Sequence, residues 1–140
     1  MFATVFAAFL IGHYLADYFV QTDHQAQHKG LTGSRSAEGR RNCALHALTY
    51  TATLAGVLAF ALNVEDVEFS AASSLVVWSA LILNGITHYV IDRRWTLEAL
   101  ARFMGKSGWI DADREALPKL DQAAHVVLLG VFALAVAALI

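Results

Sequence analysis

Four apolar stretches, each long enough to cross a bilayer, occupy about residues 2–20, 44–62, 71–91 and 122–140. A membrane-spanning helix needs about 17–25 residues, and the bilayer interior admits only helices or closed barrels because backbone polar groups find no water there. The pattern predicts an all-α fold, an integral membrane four-helix bundle in which residues 1–140 form a single transmembrane domain. Composition agrees, with 57% hydrophobic and only 16% charged residues, where a soluble domain carries about 25% charged residues. The first stretch lacks a positive n-region and a following small-residue cleavage site, so it reads as a mature helix and not a signal peptide.

The basic residues orient these spans. Lys29, Arg35, Arg40 and Arg41 lie in the first connection, and Arg93, Arg94, Arg102, Lys106, Arg114 and Lys119 in the third. The second connection holds Glu65, Asp66 and Glu68 and no basic residue. The basic end is therefore expected in the cytoplasm, with both termini outside. Net charge is −2, which gives no reason to expect a nucleic-acid partner.

The connections differ in character. Gln21 to Arg41 is polar and carries Gly30, Gly33 and Gly39, so it is expected to be a loop with one short helical turn. Between Thr96 and Met104, apolar residues recur at Leu97, Leu100, Ala101 and Met104, flanked by Trp95 and Trp109. That spacing predicts a cytoplasmic interfacial helix over about 96–104, between the third and fourth spans. Pro118, the only proline, is expected to break the chain just before the fourth span. Small-residue spacings such as Ala52 with Gly56 and Ala133 with Ala137 permit close helix contacts within or between chains, leaving room for a homo-oligomer or a larger membrane complex.

Polar residues inside the spans carry the functional signal. His13 and Asp17 on the first, His88 and Asp92 on the third, and Asp121 and His125 on the fourth are spaced i, i+4, and so share one helix face. Given the alternating direction of the spans, each aspartate falls at the cytoplasmic rim and each histidine one turn, about 6 Å, deeper. Asn42 and His46 on the second span follow the same order. Four histidines and three aspartates are thus expected to converge at one depth.

Each pair also has a plainer reading. Asn42 and Asp121 sit where the apolar stretches begin, and both residue types are favoured helix N-caps. Asp17 and Asp92 sit at helix C-termini, where the macrodipole disfavours negative charge, and they call for a cation. For Asp92, Arg93 or Arg94 is the expected partner; the nearest basic residue after Asp17 is Lys29. An interhelical hydrogen-bond network or a proton relay is the alternative to a metal site. His24 and His28, in the first connection, read as ordinary surface residues.

The candidate ligands are His13, Asp17, His46, His88, Asp92, Asp121 and His125. Imidazole and carboxylate without sulfur suit zinc, iron, manganese or nickel. Seven donors exceed what one catalytic zinc uses. Either two ions share the site through a bridging carboxylate, or one ion is held while remaining aspartates orient its histidines.

The segments GHYLADYFVQTDHQAQHK, LHAL around His46, THYVID around His88 and DQAAH in the last span together resemble the bacterial and phage membrane-protein family known as domain of unknown function 3307. The resemblance covers nearly the whole chain. It implies a bacterial inner-membrane protein in which His13, Asp17, Gln21, Thr22, Asp23, His46, His88, Asp92, Asp121, Gln122 and His125 form the family pattern. It implies no activity.

Chemistry supplies the functional expectation. A divalent metal open to the cytoplasmic interface lowers the pKa of bound water, with Asp17 or Asp92 as base, which makes hydrolysis the default reaction. No serine lies within a turn of the ligands, and Cys43, the only cysteine, is read as turned away from His46, which argues against a side-chain nucleophile. The expected substrate is membrane lipid or another amphipathic phosphoester, ester or amide. Two alternatives belong to other classes: a metal-ion or proton transporter, and a non-enzymatic, metal-stabilised component of a larger assembly.

Overall fold

The computed structural model describes residues 1–68 and 70–140. Its long helices are α1 (Phe2–Leu15, continued by a π-helical turn, Ala16–Val20), α3 (Ser36–Val64), α4 (Ala71–Asp92) and α7 (Ala116–Leu139). Shorter helices fill the basic end: α2 (Asp23–His28), α5 (Trp95–Phe103) and α6 (Ser107–Ala112). No strand occurs among the described residues. All four long segments are long and apolar enough to cross a membrane.

The long helices form a ring in which α1 packs on α3, α3 on α4, α4 on α7 and α7 on α1. Away from the basic end the axis is filled by Val5, Phe9, Leu54, Leu58, Leu81, Leu129, Ala133 and Val136. Large apolar side chains such as Phe60, Leu75, Ile82, Val127 and Leu134 point outward and are exposed. Polar groups inside and apolar groups outside is the distribution that a lipid solvent favours.

Where lipid surrounds helices, packing and not water exclusion draws them together, so close backbone approach matters. Gly12 and Gly85 provide it. A Cβ on Gly12 would lie 3.1 Å from the Leu54 backbone, and one on Gly85 would collide with Thr51 Oγ1. These glycines neighbour His13 and His88, and they draw α1 and α4 onto α3 at that level. Of the expected small-residue spacings, Ala133 packs inside the ring, whereas Ala52 and Gly56 are exposed on the outer face of α3.

Several sequence expectations about boundaries are corrected. α3 begins at Ser36, before the apolar stretch, because its first turns are polar yet remain helical; the last six residues of the expected first loop, 36–41, are therefore helix. α7 begins at Ala116, so Pro118 lies inside its first turn, where a missing N–H costs no helix bond. Asp121 is consequently within the helix and is not its N-cap. Asn42 is likewise interior to α3, and its amide donates to the Glu38 carbonyl at 3.0 Å. The helix expected near 96–104 is present as α5, and α6 was not anticipated.

Candidate metal centre

The first connection folds back over the basic end of the bundle, and sequence-local devices set its course. Thr22 and Gln25 form a capping box at the start of α2: Thr22 Oγ1 accepts from the Gln25 N–H at 3.2 Å, and Gln25 Oε1 accepts from the Thr22 N–H at 3.0 Å. Beyond α2, Arg93 holds the chain, donating to the carbonyls of Lys29 at 2.6 Å and Leu31 at 2.7 Å. A side chain at Gly39 would run into the Leu31 carbonyl and the Arg93 guanidinium, so only glycine permits this approach. The result delivers Lys29, 7% exposed, into the interior.

There the four long helices present their polar pairs to one another. His13, His46, His88, His125 and Asp92 are buried, with exposures of 0, 0, 1, 2 and 1%. His46 Nε2 and His88 Nε2 stand 3.0 Å apart. Asp17 Oδ1 lies 3.2 Å from the first and 3.6 Å from the second. Asp92 spans the centre: its Oδ2 is 3.2 Å from His88 Nε2 and 3.4 Å from His46 Nε2, while its Oδ1 faces His125 Nε2 at 3.6 Å. His125 Nε2 also faces Asp121 Oδ2 at 3.7 Å. His13 donates from Nε2 to Gln122 Oε1 at 3.2 Å and turns Nδ1 to Asp17 Oδ2 at 3.7 Å.

All seven expected ligands are therefore brought together. They form three overlapping groups, Asp17–His46–His88, His13–His88–His125 and Asp92–Asp121–His125, each with donor atoms within 4.8 Å of one another. Asn42 does not join them. The donors fit a divalent ion on two counts. A metal with bonds of about 2.0–2.2 Å holds tetrahedral donor atoms about 3.3–3.6 Å apart, and the contacts above cluster around that spacing. In addition, the buried atoms Asp17 Oδ1 and His125 Nε2 have no hydrogen-bond partner, a costly state that a cation relieves.

The rings are fixed by their surroundings. Tyr50 stacks on His88 with centroids 3.6 Å apart, and His125 lies on from it at 4.3 Å. Cys43, contrary to expectation, is on the inner side of α3, but its thiol donates to the Tyr89 carbonyl at 3.4 Å and takes no part in the centre. Spacing of i, i+3 to His46 already places it on that face.

The sequence reading missed Lys29. Its Nζ donates to both oxygens of Asp92 at 2.9 Å, so it supplies the cation expected from Arg93 or Arg94. Arg93 is committed to the loop carbonyls, and Arg94 points elsewhere. The one signal in the sequence was that no basic residue follows Asp17 before Lys29, which pointed to Lys29 near Asp17 and not to its pairing with Asp92. At the surface, His24 and His28 stack at 4.1 Å, and His28 Nε2 faces Glu38 at 3.6 Å, a partly exposed grouping apart from the buried one.

Fold and site together define a class: a bundle of four helices of membrane-crossing length whose interior holds a mixed histidine–aspartate centre. The family model described as "Protein of unknown function (DUF3307)" matches residues 5–140, and the chain belongs to that family. No curated protein and no solved structure matches the chain.

Proposed function

We propose that this chain is a metal-dependent hydrolase of the bacterial inner membrane, acting at the cytoplasmic interface on a lipid or another amphipathic phosphoester, ester or amide. Its basic end faces the cytoplasm, both termini lie outside, and α5 rests on the cytoplasmic surface with its apolar side toward lipid. The observation that carries the reading is Asp92, whose two oxygens face two different histidine groups, His46 with His88 on one side and His125 on the other. Asp92 with Asp17, His46 and His88 would hold one divalent ion, and Asp92 with Asp121 and His125 a second. Zinc, iron and manganese suit these donors.

A divalent ion bound here supplies Lewis acidity and a water that ionises near neutral pH. The chain's own residues do the rest. Asp17, whose Oδ1 would be engaged at the ion, keeps Oδ2, 3.7 Å from His13 Nδ1, to take the proton of that water, whereas both oxygens of Asp92 accept from Lys29. Water oxygen bonds to phosphorus or acyl carbon, the bond to the leaving oxygen or nitrogen breaks, and the proton passes to the leaving group. Lys29 offsets negative charge as it develops.

A transport pathway finds less support, because the axis from Phe9 and Leu54 to the acidic end is packed with apolar side chains. The test is direct. Protein purified without added metal is analysed for bound elements, then assayed on phosphoester, acyl ester and amide amphiphiles in mixed micelles, with the His88→Ala protein as control. About one or two ions per chain and hydrolysis abolished by chelation and by the substitution are expected. Metal-replete protein inactive on all three classes, or activity that persists in the control, overturns the reading.

A further inference from the structure

Beside the buried centre, a cavity of about 380 Å³ opens between the π-helical turn of α1, the start of α5 and the first turns of α7. Exposed Tyr18, Arg94 and Arg114 and half-buried Leu117, Asp121 and Gln122 line it, and Asp121 and Gln122, which contact the centre, form its floor. The floor is continuous with the centre, since Gln122 accepts from His13 and Asp121 faces His125. Tyr18 is 62% exposed, in the way of an amphipathic side chain at a lipid boundary.

Most of the other cations are committed to partners. Lys29 is paired with Asp92, Arg35 with Glu38, Arg102 with Glu98 and Asp111, and Lys119 with Asp113, while Arg93 binds loop carbonyls. Arg40 bonds Ser36; Arg41, Arg94, Lys106 and Arg114 have no hydrogen-bond or ion-pair partner among the described residues, and of these Arg94 and Arg114 line one cavity. Arg94 is also held at φ +58°, a backbone state that is strained for a non-glycine residue. Its stem crosses Gly30, where a Cβ would come within 3.3 Å of Arg94 Cδ. A cytoplasmic bias of positive charge requires none of this placement.

We infer that this cavity binds the phosphate of a phosphorylated membrane amphiphile, with Arg94 and Arg114 as its anion clamp and its acyl portion leaving past Tyr18 and Leu117 into the bilayer. Guanidinium groups match phosphate oxygens in charge and geometry. A head group so held has its phosphoester at the Asp121–Gln122 floor, beside the donors of the centre. The inference rests on the proposed hydrolase reading and narrows its substrate to a phospholipid-like molecule.

Binding is measured calorimetrically on the metal-bound protein in an uncharged detergent, with short-chain phosphatidic acid, the matching diacylglycerol and inorganic phosphate as separate probes. Phosphatidic acid is expected to bind at least about tenfold more tightly than either of the others, because only it offers both phosphate and acyl chains. Arg94→Gln with Arg114→Gln should lose about tenfold or more in affinity for it, with metal content unchanged, while Arg40→Gln with Arg41→Gln should lose nothing. The single variants are measured too, so that a double variant that does not fold leaves the comparison standing. Equal affinity for diacylglycerol or for free phosphate, or unaltered binding by the arginine variants, overturns the inference. Phosphatidic acid that binds through these arginines, in protein inactive on all three amphiphile classes, overturns the hydrolase reading and leaves the clamp intact.

Discussion

Lys29 and Asp92, 63 residues apart in sequence, form a buried ion pair in which the ammonium donates 2.9 Å hydrogen bonds to both carboxylate oxygens. Those oxygens are also the ones that face His46, His88 and His125, so Lys29 and the proposed metal ion would compete for the same negative charge. Breaking a buried pair by removing one partner costs about 3–5 kcal/mol. Lys29→Met should therefore strongly destabilise the metal-free protein, and added zinc or manganese should restore most of the loss. Thermal melts with and without chelator check this: the metal-induced rise in Tm should be larger in the variant than in the parent. An equal rise in both would mean that Lys29 does not compete with the ion.

Orientation has a separate consequence. In a Cys43→Ser background, Asp66→Cys should react with an impermeant maleimide added to intact cells, and Arg35→Cys or Lys106→Cys only after the cytoplasm is opened. The reverse pattern would place the centre at the opposite face and remove the argument for a cytoplasmic substrate.

Helix approach at the level of the centre depends on particular glycines. Gly85→Ala forces a methyl group into Thr51 Oγ1, and overpacking of this kind costs about 1–3 kcal/mol. Gly56→Ala meets nothing within 4 Å and should leave stability and metal content unchanged. Melting temperature and bound metal read both variants; matching losses in the two would show that the α3–α4 spacing does not set the centre.

The corner between α6 and α7, which carries Arg114, answers to pH. The Asp113 carboxyl is held below its ordinary range, first by the Glu115 backbone N–H and then by the Lys119 ammonium. A depressed folded value means that the stabilisation is complete above the unfolded carboxylate value, about 3.9, and fades as pH falls through the folded one. Trp109, whose indole N–H donates to Asp113 at 3.3 Å, reports the event. With Trp78→Phe and Trp95→Phe, emission should stay constant from pH 8 to pH 5 and change only below about pH 4. Asp113→Asn should abolish that change.

The histidine–aspartate pairs were legible in the sequence because a helix converts spacing into a shared face by local geometry alone. Positive charge at alternate connections, and the apolar lengths, were enough for the number of long helices. Boundaries were harder, since hydropathy marks where apolar character starts and α3 starts earlier, in a polar segment at Ser36. The same confusion made Asp121 resemble a cap. Lys29 was not legible as a member of the centre. Its position depends on the Arg93 bonds to the loop and on the absence of a side chain at Gly39, relationships between residues remote in sequence that no periodicity encodes.

During synthesis, α1 emerges with His13 and Asp17 long before α4 and α7 can meet them. A solitary acidic group near the middle of a membrane helix costs about 2.5–3.5 kcal/mol on insertion scales and less toward the rim. Each later helix arrives with a polar pair in the same predicament, and the ring of the finished bundle brings these pairs together. Helices joined in the wrong order, or rotated by part of a turn, strand charge in lipid. In a bilayer the convergence of these polar pairs would therefore favour this order of helices over other arrangements of the same segments.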